Sequence, residues 1–369
     1  MQSVPLNTPA NTPPIAPPSL QQSMLASRRN AMSSLLSVKQ KPRLNADCRE
    51  YSEVVRETDV MSIPDVHGDI VALKKSLRGL GLTDSSDSWI GGDNVAVFLG
   101  DYIDRGNANL EVLDYIVKLK AEAEAAGGRI DLILGNHESM MLGAIRDKMH
   151  YRKYWLLPEN GGGKVFEEVR NRYQLKSDQE VWDKLEELFA PQGKYYELTK
   201  SLKLVSQVDD VLYVHGGIDV EWAKIIKDEG VEGVNRRWSQ AYEDLKKGQG
   251  AGFEKVAGEK GPLWIRYKGG IKNFSAYQVA VIARCLKDRG INAVVLGHDV
   301  MDFGPMLDER FEREGIKLIA SDVAMSIGYN ERASSEGGIK IDRQGNIEGR
   351  SEWGIQELHK EKASTSKAA

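Results

Sequence analysis

Aspartate, histidine, asparagine and arginine gather at five places in this chain, each just after a short apolar run. Asp65 and His67 follow "DVMSI" (59–63), and Asp101, Asp104 and Arg105 follow "NVAVFL" (94–99). Asn136, His137 and Glu138 follow "RIDLIL" (129–134), His215 follows "VLYV" (211–214), and His298 follows "NAVVL" (292–296). Four of the six histidines stand at these places. Carboxylate, imidazole and one amide oxygen form a borderline-hard donor set, suited to Mn, Fe or Zn and less to Ca. Asp65 and His67 are two apart in an extended segment, so both point the same way. Asp101 is placed to bridge two ions, and its charge would offset their repulsion. Asn136, His215 and His298 would complete the second ion. Each motif alone reads as a turn or a capped helix start. All five in order, each after an apolar run, read as one site.

The elements that must hold these residues follow from the pattern between them. The apolar runs are short and rich in Val, Ile and Leu, which suits buried strands. "NLEVLDYIVKLKAEAEAA" (109–126) sets Leu110, Leu113, Ile116, Val117 and Leu119 near one face, as an amphipathic helix does. "YQVAVIARCLKDRG" (277–290) does the same and ends at a glycine that can cap it. Strand and helix alternate, so the fold class is α/β with helices outside the sheet. In such folds the functional crevice lies beyond the carboxyl ends of the strands, where all five clusters fall. The segment from about 150 to 205 is longer than a crossover needs and reads as a helical insertion packed over the core. A cap that shapes a substrate groove is the alternative reading. Its "GGGK" is no phosphate loop, because Val165 follows the lysine where Ser or Thr is required. The methionines of "SMMLGAIRDKM" (139–149) read as core, and "RRW" (236–238) as a solvated helix face.

Composition narrows the remaining classes. The chain has 369 residues and a formal net charge of −4, with no basic stripe of the kind nucleic-acid binders carry. Its two cysteines, Cys48 and Cys285, stand far apart, so no disulfide framework is expected and a reducing compartment fits. No apolar stretch is long enough to span a membrane. Residues 1–57, rich in Pro, Ser, Ala, Asn and Gln, read as a disordered tail. The tail is basic and has no acid before Asp47, like an organelle transit peptide. Its early prolines break the amphipathic helix such peptides need, so the expected location is cytoplasmic. Residues 350–369 read as a second tail.

Taken together, Asp65-Val66-His67-Gly68, "GDYIDRG" (100–106), "GNHE" (135–138), "HGG" (215–217) and "GH" (297–298) resemble the metallophosphoesterase superfamily. The full "GDxxDRG" and "GNHE" signatures resemble its phosphoprotein phosphatase group. "GPLWIRY" (261–267) and the long insertion resemble the Shewanella-like phosphatase branch. The resemblance implies a calcineurin-like fold over residues 58–349: a central β-sandwich flanked by helices, with the helical insertion. It implies two divalent metal ions, the first held by Asp65, His67 and Asp101, the second by Asp101, Asn136, His215 and His298. Arg105, Arg266 and Asn136 would hold the phosphoryl oxygens. His137 would be the general acid and Asp104 its orienter. A hydroxide between the metals would attack phosphorus in line. The substrate would be a phosphoprotein or a phosphorylated small molecule. Hydrolysis of a dinucleoside tetraphosphate, or an inactive scaffold that binds phosphorylated partners, are the alternatives. Two departures stand out: Pro64 replaces the glycine usual before the first aspartate, and "ASDVAMSIGYN" (320–330) replaces the ending of the eukaryotic core branch. Conventional regulatory subunits are therefore not expected.

Overall fold

In a computed structural model the five apolar runs are strands, and their alternation assigns each side chain to one of two cores. The structure describes residues 56–146, 150–302, 304–326, 336–351 and 354–361. The tail expected at the N-terminus lies outside the described residues as far as residue 55, as does the chain beyond residue 361. Strand β1 (Val60–Ile63), β2 (Val95–Phe98) and β3 (Arg129–Ile133) run parallel and adjacent, and β3 pairs on with the short β4 (Leu202–Lys203). A second sheet holds β5 (Val205–Val208), β6 (Val211–Val214), β7 (Ala293–Leu296), β8 (Met306–Leu307) and β9 (Lys317–Ala320), in the order β5-β6-β7-β9-β8. Strands β10 (Gly338–Ile341), β11 (Ile347–Ser351) and β12 (Gly354–His359) extend the first sheet on the other side of β1.

Period-two alternation makes the sandwich. Val60, Val95, Val97, Leu99 and Ile133 of the first sheet meet Val208, Val211, Tyr213, Ala293, Val295 and Ile319 of the second. The intervening residues, among them Met61, Ile63, Phe98, Leu212 and Leu296, face the other way into a larger core shared with the helices. Those helices are α1 (Ile70–Gly79), α2 (Asn109–Ala125), α3 (Asn136–Arg146), α4 (His150–Trp155), α5 (Gly162–Arg172), α6 (Asp178–Phe189), α7 (Tyr196–Ser201), α8 (Val220–Lys246), α9 (Ala251–Ala257), α10 (Ala276–Lys287) and α11 (Glu309–Arg313). Local chemistry fixes several of their ends. Asp69 accepts from the Ala72 amide at 3.0 Å, and Ser177 and Glu180 form a capping box at the start of α6. Helix α8 breaks at Gly230, whose φ of 73° lies outside the helical region. No described helix is long and apolar enough to cross a membrane.

The sheet does not stop at residue 349, where the sequence reading ends the domain. Strand β12 pairs antiparallel with β11 and carries the edge to His359. Little in its composition announces a strand, because an edge strand buries few side chains and Ile355 is 63 % exposed. Strands β9, β10 and β11 went unread for a similar reason: Lys, Glu and Arg dilute their apolar residues.

Tyr213 is a polar misfit in the sandwich core. The Tyr213 ring is 1 % exposed, and its hydroxyl is buried with no hydrogen-bond partner. An unpaired buried hydroxyl contributes nothing that a phenyl ring lacks and carries a desolvation cost. Tyr213→Phe is therefore expected to leave stability unchanged or raise it by up to ~1 kcal/mol in urea denaturation. A loss larger than that would mean a trapped water satisfies the hydroxyl.

Candidate metal centre

Five strand ends from two sheets meet at one rim. Asp65 and His67 follow β1, Asp101, Asp104 and Arg105 follow β2, and His215 and His298 follow β6 and β7. Asn136 and His137 are the first two residues of α3, directly after β3. All but Arg105 are buried, and Asp65, Asp101, Asn136 and His137 are each 2 % exposed. The turns that carry them are strained. His67, Asp101, Asp104, Arg105 and His298 all have φ between 45° and 72°, where non-glycine residues are uncommon. Close approach needs glycine on either side of Asp101. A Cβ on Gly100 would come 2.6 Å from the Gly135 amide nitrogen, and one on Gly135 would come 2.2 Å from the Asp101 side chain.

Ligand atoms of Asp65, Asp101, His215 and His298 all lie within 4.8 Å of one another, and so do those of His67, Asp101 and His137. Asp101 belongs to both groups. Its Oδ2 is 3.4 Å from His215 Nε2, 3.8 Å from His67 Nε2 and 3.9 Å from His137 Nε2. Asn136 joins through Oδ1, 2.8 Å from His215 Nε2. Backbone groups aim the rings and carboxylates. His215 Nδ1 is 2.8 Å from the Leu99 carbonyl and His67 Nδ1 is 3.2 Å from the Ile103 carbonyl, contacts that leave Nε2 for the centre. Asp65 Oδ1 accepts from the His298 amide, and Asp101 Oδ1 from the His137 amide, each at 3.0 Å.

Arg105 Nη2 lies 3.3 Å from His137 Nε2, and His137 Nδ1 lies 2.8 Å from Asp104 Oδ2. Arg266 stands farther out. Its guanidinium pairs with Asp299 at 3.4 Å and its side chain is 46 % exposed. Its charge still reaches the centre, where it helps to lower the values of His137 and His298. A groove of about 1080 Å³ opens beside the centre, lined by Tyr151 and Tyr154 of the insertion, Trp222, Phe253 and Trp264. Trp264 lies at the junction, its ring 5.8 Å from that of His298. The insertion thus both packs on the core and borders the groove.

The electrostatics call for cations. Burial raises Asp65 well above the carboxylate range, and Asp322 and Asp101 add to it. Burial also raises Asp101, but His215 and His137 outweigh it and hold that carboxyl well below its usual value. Burial lowers His67 to about 3 and His137 to about 4, which leaves neutral rings suited to ligation. Burial lowers His215 too, but Asp101 more than compensates. Several buried carboxylates around neutral imidazoles form a pocket that favours bound positive charge. His298 Nε2 is buried with no protein partner, as a ligand atom would be. The residues therefore fit divalent ions, although no ion is part of the structure.

Two contributors were given no role from the sequence. Glu138 is 3 % exposed and accepts from the amides of Asp101, Tyr102 and Gly135 at 2.8, 2.8 and 3.1 Å. It thereby shapes the loop that carries Asp101, and its place in "GNHE" was the available signal. Asp322, 1 % exposed, lies close enough to raise Asp65. It follows β9, a strand the sequence reading did not find.

A two-sheet α/β sandwich with carboxylates and imidazoles at its strand ends, one aspartate common to two ligand groups, defines a metallophosphoesterase. The chain belongs to the calcineurin-like phosphoesterase family, whose sequence model matches residues 59–302. It is 46 % identical over 81 residues to Shewanella-like protein phosphatase 2 of Arabidopsis thaliana, covering 22 % of this chain and 21 % of that one. It is 24 % identical over 216 residues to Shewanella-like protein phosphatase 1 of Plasmodium berghei, covering 58 % of this chain and 53 % of that one. These matches span about a fifth and about half of the two relatives. Its fold is that of a cold-active protein-tyrosine phosphatase from a psychrophilic Shewanella species, with a TM-score of 0.61, 21 % identity, and coverage of 87 % of this chain and 89 % of that one.

The carboxylates set a pH test. Burial, with Asp101 next, raises Glu138 from 4.5 to about 8. Metal-free, the folded protein then holds a proton there that the unfolded chain has released, so stability falls as pH climbs toward 8. His67 and His137 lie below their unfolded value of 6.5, so they oppose this fall until the unfolded rings are neutral, about one pH unit higher. The chelated protein is expected to lose melting temperature as pH rises through about 8, and the Mn²⁺-loaded protein to lose less. A chelated protein that gains stability over that window would refute the protonated carboxylate.

Proposed function

We propose that this protein hydrolyses phosphate monoesters of proteins, on serine or threonine and also on tyrosine, at a centre of two divalent ions. The single observation that carries the reading is Asp101, buried and common to both ligand groups. Asp65, His67 and Asp101 would hold one ion, and Asp101, Asn136, His215 and His298 the other. Bound ions of the Mn, Fe or Zn type supply charge neutralisation and an acidified water. The phosphatase names of the two curated relatives support the substrate class.

The chain's own residues do the rest. Arg105 flanks the centre, and its planar guanidinium matches the oxygens of a phosphoryl group. Arg266, paired with Asp299 at the outer side, would turn its guanidinium toward a bound phosphoryl group, and the Asn136 amide adds a donor. His137 would give its Nε2 proton to the leaving oxygen, while Asp104 holds Nδ1. Its low value in the free protein suits this role once substrate is bound, because a phosphate dianion beside Nε2 favours the protonated ring. The groove beside Trp264 gives the chain flanking the phosphorylated residue a place to lie.

Purified protein with Mn²⁺ is expected to release phosphate from phosphoserine, phosphothreonine or phosphotyrosine peptides. Release of ADP from diadenosine tetraphosphate with inert peptides would overturn the reading in favour of a nucleotide hydrolase. No turnover of any of these would point to a scaffold. Asp101→Asn is expected to abolish activity and most of the bound metal, measured by elemental analysis; wild-type metal content would rule out the shared ligand. His137→Asn is expected to keep its metal and lose about 10²–10⁴-fold in kcat on alkyl phosphates, with less loss on activated aryl phosphates. Equal loss on both would rule out proton donation by His137.

A further inference from the structure

The helical insertion reaches Asp104 through the side chain of Trp155. Trp155 closes α4, is 0 % exposed and points its indole N–H at Asp104. Nε1 lies 2.8 Å from Oδ2 and 3.1 Å from Oδ1. Asp104 Oδ2 is also the atom 2.8 Å from His137 Nδ1. A carboxylate turns readily about its Cβ–Cγ bond, and each setting would offer the imidazole an oxygen in a different direction. A donor shared between both oxygens removes that freedom.

The surroundings keep the indole in place. Trp182 of α6 packs against it with ring centroids 5.9 Å apart. Gly162 passes so close that a Cβ there would lie 2.6 Å from Nε1. The neighbouring Gly161 carbonyl accepts from the Arg105 amide at 3.4 Å. The segment from Trp155 to Gly162 therefore grips both Asp104 and Arg105.

We propose that Trp155 is a positioning residue: its indole N–H fixes the plane of the Asp104 carboxylate, which in turn aims His137 Nε2 at the centre. The insertion thereby sets the geometry of proton donation without touching substrate. The kinetic consequence rests on the hydrolase reading above; the hydrogen-bond chain does not.

The test uses the full chain carrying Trp155→Phe and, separately, benzothienylalanine at position 155. The second replaces the indole N–H by sulfur at nearly constant volume, so it carries the test should the phenylalanine variant not fold. Both are expected to bind metal as the wild type does and to keep its KM. Turnover of a phosphoserine peptide should fall about ten-fold, a part of the 10²–10⁴-fold that general acid catalysis supplies, and turnover of para-nitrophenyl phosphate by less than about two-fold. In a His137→Asn background the same changes should cost nothing further on the peptide, because the group being aimed is gone. In protein labelled at histidine, the Nδ1 proton resonance of His137 should shift when the indole N–H is removed. That measurement needs no turnover, so it decides the Trp155 contact even if the protein proves to hydrolyse no phosphomonoester. An unshifted resonance, equal losses on both substrates, or a further loss in the His137→Asn background would overturn the proposal.

Discussion

A buried carboxylate with several imidazoles around it is the constraint on which the rest of this molecule turns. Asp101 sits at 2 % exposure with His67, His137 and His215 each within 3.9 Å of Oδ2. Taking such a group out of water is costly unless opposite charge or hydrogen bonds meet it. The chain answers with backbone. The Asp101 amide is bound by Glu138, and its carbonyl accepts from the amides of Val66 and His67 at 3.0 and 2.8 Å. The loops after β1, β2 and β3 are thus tied to one another before any ion is considered. The carboxylate charge itself is met by the His137 amide and the surrounding imidazoles, and it suits divalent cations.

Holding that arrangement requires unusual backbone. Five of the non-glycine residues with positive φ are site residues, and Gly100 and Gly135 leave no room for a side chain between the β2 and β3 loops. Strain of this kind persists only where the surroundings over-determine it. Here the surroundings are a sandwich core on one side and a helical core on the other, each filled by alternate residues of the same strands. The packing thereby keeps five loops in conformations they would not hold alone.

Much of this was legible in the sequence. The ligand-bearing strands have four or five residues each and are buried almost throughout, so they appear as unbroken apolar runs, and the polar clusters after them stand out. Amphipathic helices α2 and α10 were legible for the same reason. Strands β10 to β12 were not, because one face meets solvent and charge dilutes the signal. The boundary expected at residue 349 fell short on that account. Asp322 escaped notice with its strand β9. Trp155 escaped for another reason: it is distant in sequence from Asp104, and no spacing rule links a tryptophan in an insertion to a carboxylate 51 residues earlier. Glu138 was visible as a letter in a motif, but its contacts to three amides are a property of loop geometry alone.

The candidate ligands are divided between two sheets: Asp65, His67, Asp101 and Asn136 come from the first, His215 and His298 from the second. Any slippage of one sheet over the other would alter the spacing of these side chains. Residues such as Val97, Val295 and Ile319, packed between the sheets and remote from solvent, therefore act as spacers for the chemistry. Trimming a methyl group there would be felt at the rim as a change in the spacing of the carboxylates and imidazoles, giving evolution a way to tune the site without altering any residue in it.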